Sequence, residues 1–223
     1  MGWLSNLFSD RNESPAISGR DALRAACDDL SRRMKEHADL TEAHRRYNVR
    51  DIYQLSVVHP ELASDVLKSL RSICGNEISP QVCAATVAFA DAVGSKHPEL
   101  LSHVLQAFDE MYDRTTASSQ WQMVEMAGRV GTKHGDVSVA AIRSLAKISQ
   151  KSTDELIREA AVNWIGAVAG AHYTRHFSYI VNPALDSIAT LRLDNSARVR
   201  KAADDWTARL HDLTDRKIIP APK

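Results

Sequence analysis

Cysteine, net charge and long apolar runs are scarce in this chain of 223 residues. Its three cysteines, Cys27, Cys74 and Cys83, are odd in number and include no C-x-x-C pair. That count argues against a disulfide framework or a cysteine-bound zinc ion, and it suits a reducing compartment. No run of about 18 apolar residues occurs, so no membrane-spanning helix is predicted. The basic and apolar regions of a secretory signal are also missing, and we therefore expect a cytoplasmic protein.

Positive charge is not in excess, because Lys plus Arg and Asp plus Glu both number 28. Bulk attraction to nucleic acid or to acidic membranes is therefore not expected, and binding to nucleic acid would need a local basic patch. Acidic residues such as Glu42 and Asp51 are interleaved with the densest basic cluster, so we interpret that cluster as an ordinary solvated face. Its members are Arg32, Arg33, Lys35, Arg45, Arg46 and Arg50.

Sequence motifs for catalysis are also missing. The chain contains no Gly-rich phosphate loop, no serine-centred G-x-S-x-G turn and no closely spaced set of metal ligands. We therefore predict a non-enzymatic protein with no catalytic residues, no bound metal and no cofactor.

One pattern recurs four times along the chain, and it consists of a helix end, a turn that contains histidine, and a new helix. The turn histidines are spaced by 38, 37 and 38 residues: His59, His97, His134 and His172. A fixed period near forty residues, built from helix pairs, is typical of an α-solenoid. We predict an all-α fold, a right-handed α-solenoid of antiparallel helix pairs over residues 20–212. An N-terminal amphipathic segment and polar linker (1–19) precede it, and a C-terminal tail (213–223) follows.

Local signals predict where the helices begin. Pro60 and Pro98 follow a turn histidine, at the first helical position, where proline is tolerated. We call the two helices of each repeat pair the first-position helix and the second-position helix. Ser79-Pro80 and a capping box at Ser152–Glu155 predict the starts of first-position helices. Pro183 is expected to kink or split its helix.

Two segments resemble the HEAT repeat signature, in which an acidic turn precedes Val-Arg and an alanine follows three residues later. They are D-N-S-A-R-V-R-K-A-A at Asp194–Ala203 and T-D-E-L-I-R-E-A-A at Thr153–Ala161. Between Asn48 and Gln150 the match is in length and hydrophobic ladder. The resemblance to the HEAT/armadillo-type family covers Asn48–Leu210, and it implies a superhelical scaffold that binds other macromolecules through its concave face.

The turn histidines form the most regular polar series in the chain. Equivalent positions in successive repeats should lie about 10 Å apart, the spacing of packed helices. Neighbouring imidazoles are then too distant to share a zinc ion at about 2 Å per bond. We therefore interpret them as turn residues that cap the second helix of each pair.

Two classes of HEAT-like enzyme provide comparisons. The iron-dependent hydroxylases carry repeated His-Glu pairs, and this chain has no His-Glu dipeptide. The alkylpurine DNA glycosylases resemble it in length and helix count, and they use aromatic residues and a carboxylate on a basic groove. Trp121, Trp164 and Trp206, with Asp204 and Asp205, are the residues in question, but Trp164 and Trp206 lie inside apolar stripes, where tryptophan is usually core. A nucleic-acid-binding HEAT-like protein remains the alternative.

The function predicted is a protein-protein interaction scaffold or adaptor. Its concave face should consist of the outward residues of the second-position helices, whose mixed charges suit a polar protein partner. These residues are Asp65, Lys68, Ser69, Ser72, His103, Gln106, Asp109, Arg143, Ser144 and Lys147.

The first eight residues form a possible docking segment for a partner or a membrane surface, which makes a membrane-peripheral adaptor a further alternative. Trp3, Leu4, Leu7 and Phe8 share one face if the segment is helical, and a polar linker follows. The competing interpretation is a cap folded onto the first helices.

Deletion of Met1–Phe8 distinguishes these possibilities. We expect the free energy of unfolding to change by no more than about 1 kcal/mol, the scale of a peripheral contact. Sedimentation with vesicles or recovery of a partner should decrease. A large loss of stability would identify the segment as a core cap.

Overall fold

The computed structural model describes residues 20–25, 28–29, 42–76, 79–173 and 177–218. All regular structure in these ranges is helical and no strand occurs in them, so the predicted all-α class is confirmed. Two compact units divide the chain, Met1–Ser119 and Gln120–Lys223. We call them the N-terminal and C-terminal units and describe each by itself.

The helices after residues 20–25 are numbered in chain order. They are α1 (Glu42–Val58), α2 (Ala63–Asn76), α3 (Pro80–Lys96), α4 (Leu101–Met111), α5 (Ala117–Lys133), α6 (Ser138–Lys151), α7 (Glu155–His172), α8 (Phe177–Leu191) and α9 (Ala197–Ile218). Short 3₁₀ turns lie at Pro60–Leu62, Pro98–Leu100 and Tyr112–Arg114. Within the described ranges, no helix has the length and apolar character needed to cross a bilayer.

The core of the N-terminal unit follows the apolar stripes that the sequence predicts. Helix α2 packs against α1, α3 and α4, and α1 packs against α3. The hydrophobic ladder that the sequence predicts appears as two buried stripes on second-position helices, because their i, i+3, i+4 spacing keeps each on one side of its helix. They are Leu62, Val66, Leu67, Leu70 and Ile73, and Leu101, Val104, Leu105, Phe108 and Met111.

Two turns in this unit have nearly the same geometry. His59 has φ −125° and ψ 80°, and His97 has φ −126° and ψ 76°. Each is followed by Pro-Glu-Leu in a 3₁₀ turn, with proline at the predicted first position. The sequence predicts that these histidines cap the helices that follow them, but neither imidazole makes a capping hydrogen bond. Instead each Nδ1 atom lies 3.2 Å from a carboxylate oxygen two residues later, on Glu61 or Glu99.

The C-terminal unit contains a repeated contact between tryptophan and glycine. Helix α7 packs against α6, α8 and α9. The ring of Trp164 lies on Gly128 so closely that a Cβ atom there would be 2.0 Å from Cδ2, and the ring of Trp206 lies on Gly166 at the same distance. Both rings are only half-buried, so the prediction that they are core residues is correct in part. The repeated turns and these repeated contacts are features of a helical-repeat fold.

The structure corrects the predicted start of α7. This helix is capped by Asp154, whose side chain accepts a hydrogen bond from the Leu156 amide at 2.8 Å. Ser152 is buried at the end of α6, so the predicted capping box is wrong, whereas Ser79 does cap α3. Pro183 does not split α8, which is continuous from Phe177 to Leu191, and the predicted kink stays a prediction. Helix α9 runs from Ala197 to Ile218.

A buried ion pair links α7 to the turn before α9. The Nε and Nη2 atoms of Arg158 donate to the two carboxylate oxygens of Asp194 at 2.8 and 2.9 Å. The guanidinium also donates to Asn195 Oδ1 and to the carbonyl of Ser152. This hydrogen bonding raises the pKa of Arg158 and lowers the pKa of Asp194. The HEAT-like segments contain both residues, but only the structure shows their contact.

Candidate interaction surfaces

The predicted partner-binding residues of the N-terminal unit lie along α2 and α4, which pack together. We call this set the α2–α4 row. Four of its side chains are exposed and three are half-buried. The exposed residues are Lys68, Ser72, His103 and Gln106, and the half-buried ones are Asp65, Ser69 and Asp109.

Charges of both signs lie on and beside this row. The Asp65 carboxylate is 3.6 Å from Lys68 Nζ and 3.8 Å from Arg20 Nε. Between the two helices, Arg71 Nε donates to Glu110 Oε2 at 3.0 Å. The row therefore presents paired, mixed charges on helices whose opposite sides form the core.

In the C-terminal unit, two of the three predicted partner-binding residues are exposed. Arg143 and Lys147 are exposed on α6, but Ser144 is 2% exposed, so its assignment to an outward face is wrong. Ser144 lies three residues after Ala141 and four before Ile148, both of which are buried. That spacing places it on the covered side of the helix, and its small side chain fits there.

Several predicted features lie outside the described residues. They include the docking segment with Trp3, Leu4, Leu7 and Phe8, and the basic residues Arg32, Arg33 and Lys35. Their predicted roles stay predictions.

A cleft that the sequence does not predict lies between α1 and α3, and we call it the α1–α3 cleft. Its volume is about 270 Å³. Beside it, the rings of Tyr53 and Phe89 stack with centroids 4.9 Å apart and planes inclined by 19°. The residues that line the cleft are Ala43, Arg46, Tyr47, Arg50, Ala85 and Phe89.

Cations lie over the aromatic rings at this cleft. Arg50 Cζ is 5.2 Å from the centroid of Tyr47, and Lys96 Nζ is 5.7 Å from that of Tyr53. One sequence feature could have indicated this cleft, because Arg50 lies four residues after Arg46 and three after Tyr47, a spacing that brings it beside both on a helix. It was missed because the aromatic wall comes from α3, and only tertiary packing brings the two helices together.

A second cleft lies between α7 and α9, and its volume is about 290 Å³. Here charges of both signs are present, because the lining includes two carboxylates and three cations, and Glu159 pairs with Arg198. The complete lining is Glu159, Asn163, Arg198, Lys201, Ala202, Asp205, Trp206 and Arg209.

Of the three candidate tryptophans, Trp164 and Trp206 are engaged in packing, whereas the Trp121 side chain is 43% exposed. Trp164 Nε1 donates to Glu125 at 3.2 Å, and Trp206 Nε1 donates to Asn163 at 3.0 Å. His172, the last turn histidine, is buried, and its Nε2 atom is 2.8 Å from the carbonyl oxygen of Gly131. Among the described residues no group of three or more His, Cys, Asp or Glu side chains has a metal-binding arrangement.

Comparison with known proteins adds little to these observations. No family model matches the chain, and no curated protein matches it. The crystal structure of the de novo designed helical repeat protein DHR64 aligns with 89% of this chain and 96% of its own, at 16% identity and a TM-score of 0.33. A chain from the computational design of self-assembling cyclic homo-oligomers aligns with 87% of this chain and 95% of its own, at 13% identity and a TM-score of 0.26. TM-scores and identities this low do not establish a shared fold.

Proposed function

We propose that this chain is a non-enzymatic scaffold or adaptor that acts in the cytoplasm and binds a protein partner. In this proposal the repeats form a right-handed HEAT-like solenoid with a period of about 38 residues, the spacing of the turn histidines. The partner contacts the outward side chains of the second-position helices, which include the α2–α4 row together with Arg143 and Lys147.

The observation that supports this proposal is the two-sided construction of α2 and α4. On α2, Val66 and Leu67 are buried while Lys68 is exposed. On α4, Val104 is buried while His103 and Gln106 are exposed. Helices α2 and α4, which pack together, therefore both offer polar side chains opposite an apolar core. Mixed charges of this kind give specificity toward a protein partner.

The nucleic-acid alternative has less support. Trp164 and Trp206 cover glycines and donate their indole N–H groups within the unit, whereas base stacking requires exposed ring faces. The membrane-peripheral alternative rests on residues 1–8 and is tested by their deletion.

Charge reversal tests the proposed surface. A photo-crosslinking amino acid at Gln106 should first capture a partner in the native cell. The triple variant Lys68→Glu, Arg143→Glu, Lys147→Glu should then lose that crosslink at least tenfold. Its free energy of unfolding should change by only about 1 kcal/mol or less, because exposed charges contribute little.

A matched control changes the same charge elsewhere, at the exposed residues Arg24, Arg114 and Lys133. That variant should keep the crosslink. Equal crosslinking by both triple variants would refute the assigned surface. Salt-sensitive gel shifts with duplex nucleic acid at sub-micromolar protein would instead favour the nucleic-acid alternative.

A further inference from the structure

The α1–α3 cleft has an unusual combination of lining residues for a protein of zero net charge. Two guanidinium groups, Arg46 and Arg50, line it together with Tyr47 and Phe89, and no carboxylate belongs to the lining. The small side chains of Ala43 and Ala85 leave space between the two helices. The cleft is therefore cationic and has an apolar floor.

The two guanidinium groups are positioned to act together. Arg46 and Arg50 are four residues apart on α1, so they emerge on one side of the helix about 6 Å apart at their Cβ atoms. Arg50 lies over the Tyr47 ring, and 51% of its side chain is exposed to solvent. An arginine held against a ring loses less freedom when it binds an anion, which favours affinity.

The neighbouring acids offset this pair only in part. Glu42 accepts a hydrogen bond from the Ser79 hydroxyl at 3.1 Å. Asp51 pairs with Arg50 at 3.8 Å, a long contact, and only 17% of its side chain is exposed. Burial raises the pKa of Asp51, while Arg50 lowers it to a lesser extent. Neither acid belongs to the lining of the cleft, so the charged groups that a ligand meets there are the two guanidinium groups.

We propose that the α1–α3 cleft binds a short acidic segment of a partner protein. Two carboxylates of the segment pair with Arg46 and Arg50, and an aromatic or aliphatic side chain packs onto Ala85 and Phe89. Arginine binds carboxylate through two parallel hydrogen bonds, which gives geometric specificity as well as attraction. The surface differs from the α2–α4 row, so this inference goes beyond the proposed function, and either can fail without the other.

Charge favours a protein segment over a nucleic acid. Among the described residues, the lining has two cations, Arg46 and Arg50, and Lys96 lies beside it over Tyr53, whereas affinity for nucleic acid grows with the number of phosphates neutralised. In the described part of the N-terminal unit, carboxylates outnumber Lys and Arg together. An extended polyanion would therefore meet repulsion beyond the cleft, whereas a short segment would not.

Fluorescence anisotropy with the full chain tests the proposal. The probes are a labelled copolymer of glutamate and tyrosine, poly-glutamate, and an oligothymidylate of similar length. We expect the copolymer to bind at least tenfold more tightly than the oligothymidylate, and more tightly than poly-glutamate because of its aromatic rings. Arg46→Glu with Arg50→Glu should weaken copolymer binding at least tenfold, and Phe89→Ala should weaken it several-fold.

Two further variants keep the result interpretable. Arg114→Glu with Lys133→Glu makes the same charge change at exposed residues outside both proposed surfaces and should leave copolymer binding unchanged. Arg46→Gln with Arg50→Gln replaces the reversal if circular dichroism shows that the reversed protein is unfolded. Equal loss in the Arg114/Lys133 control, failure of the copolymer to bind, or tighter binding of the oligothymidylate would each overturn the proposal. Equal binding of poly-glutamate would overturn the aromatic contact.

Discussion

Replacement of Asp194 by asparagine should lower the free energy of unfolding by about 3–5 kcal/mol, the cost of breaking a buried ion pair. Arg158 and Asp194 are only 10% and 9% exposed. Asparagine has nearly the same shape, but it leaves the Arg158 charge buried without its carboxylate. Urea unfolding monitored by circular dichroism at neutral pH measures the loss.

An exposed ion pair in the same unit gives the control. Arg192 Nε lies 2.6 Å from Asp204 Oδ1, but the two side chains are 52% and 57% exposed. Asp204→Asn should therefore cost no more than about 1 kcal/mol, because water screens the attraction. Similar losses for both variants would show that burial does not set the strength of the Arg158–Asp194 pair.

The dependence of stability on pH has a definite sign at Asp194. The bond from Arg158 lowers its pKa in the folded state, whereas in the unfolded chain the value should be about 3.9. The pair's contribution is therefore complete above the unfolded pKa and disappears as pH falls from about 5 through the lowered folded pKa. Asp194→Asn should lose less stability than the wild type over this range. Parallel curves for the two proteins would contradict the assignment.

Substitution of Gly166 by alanine should destabilise the protein by about 3 kcal/mol, near the upper end for overpacking. The new Cβ would lie 2.0 Å from Trp206 Cδ2, so the whole indole must move. That movement also disturbs the hydrogen bond from Trp206 Nε1 to Asn163. Gly128→Ala should behave alike, because Trp164 lies equally close to it. Chemical unfolding measures both.

Gly170 provides a matched control in the same helix. Apart from the backbone of its own helix, no atom of the described residues lies within 4 Å of a Cβ built there, so Gly170→Ala should be neutral or stabilising by up to about 1 kcal/mol, through helix propensity. The effect of Gly166→Ala should also largely disappear in a Trp206→Ala background, since the two residues are in contact. Additive effects in that double variant would show that the indole is not the cause.

The sequence by itself determined the class of fold and the apolar side of most helices. Leu62, Val66 and Leu70 recur at helical spacing, and such a stripe is a property of one helix alone. The positions of Pro60 and Pro98 were also predictable, because proline restricts the backbone locally wherever it occurs. In the same way, the pattern of apolar and polar residues predicted that Lys68 and Gln106 face outward, and both are exposed.

Only the tertiary structure decided which small polar, aromatic and cationic side chains are buried. Ser144 is buried, while Trp164, expected in the core, is half-buried and lies on the backbone of Gly128. Arg46 is one of six interleaved basic residues in the sequence, and it becomes part of a cleft because α3 brings Phe89 beside it. Periodicity describes one helix at a time. Burial of a small polar, aromatic or cationic side chain depends on which neighbouring helix lies against it and how closely the backbones approach.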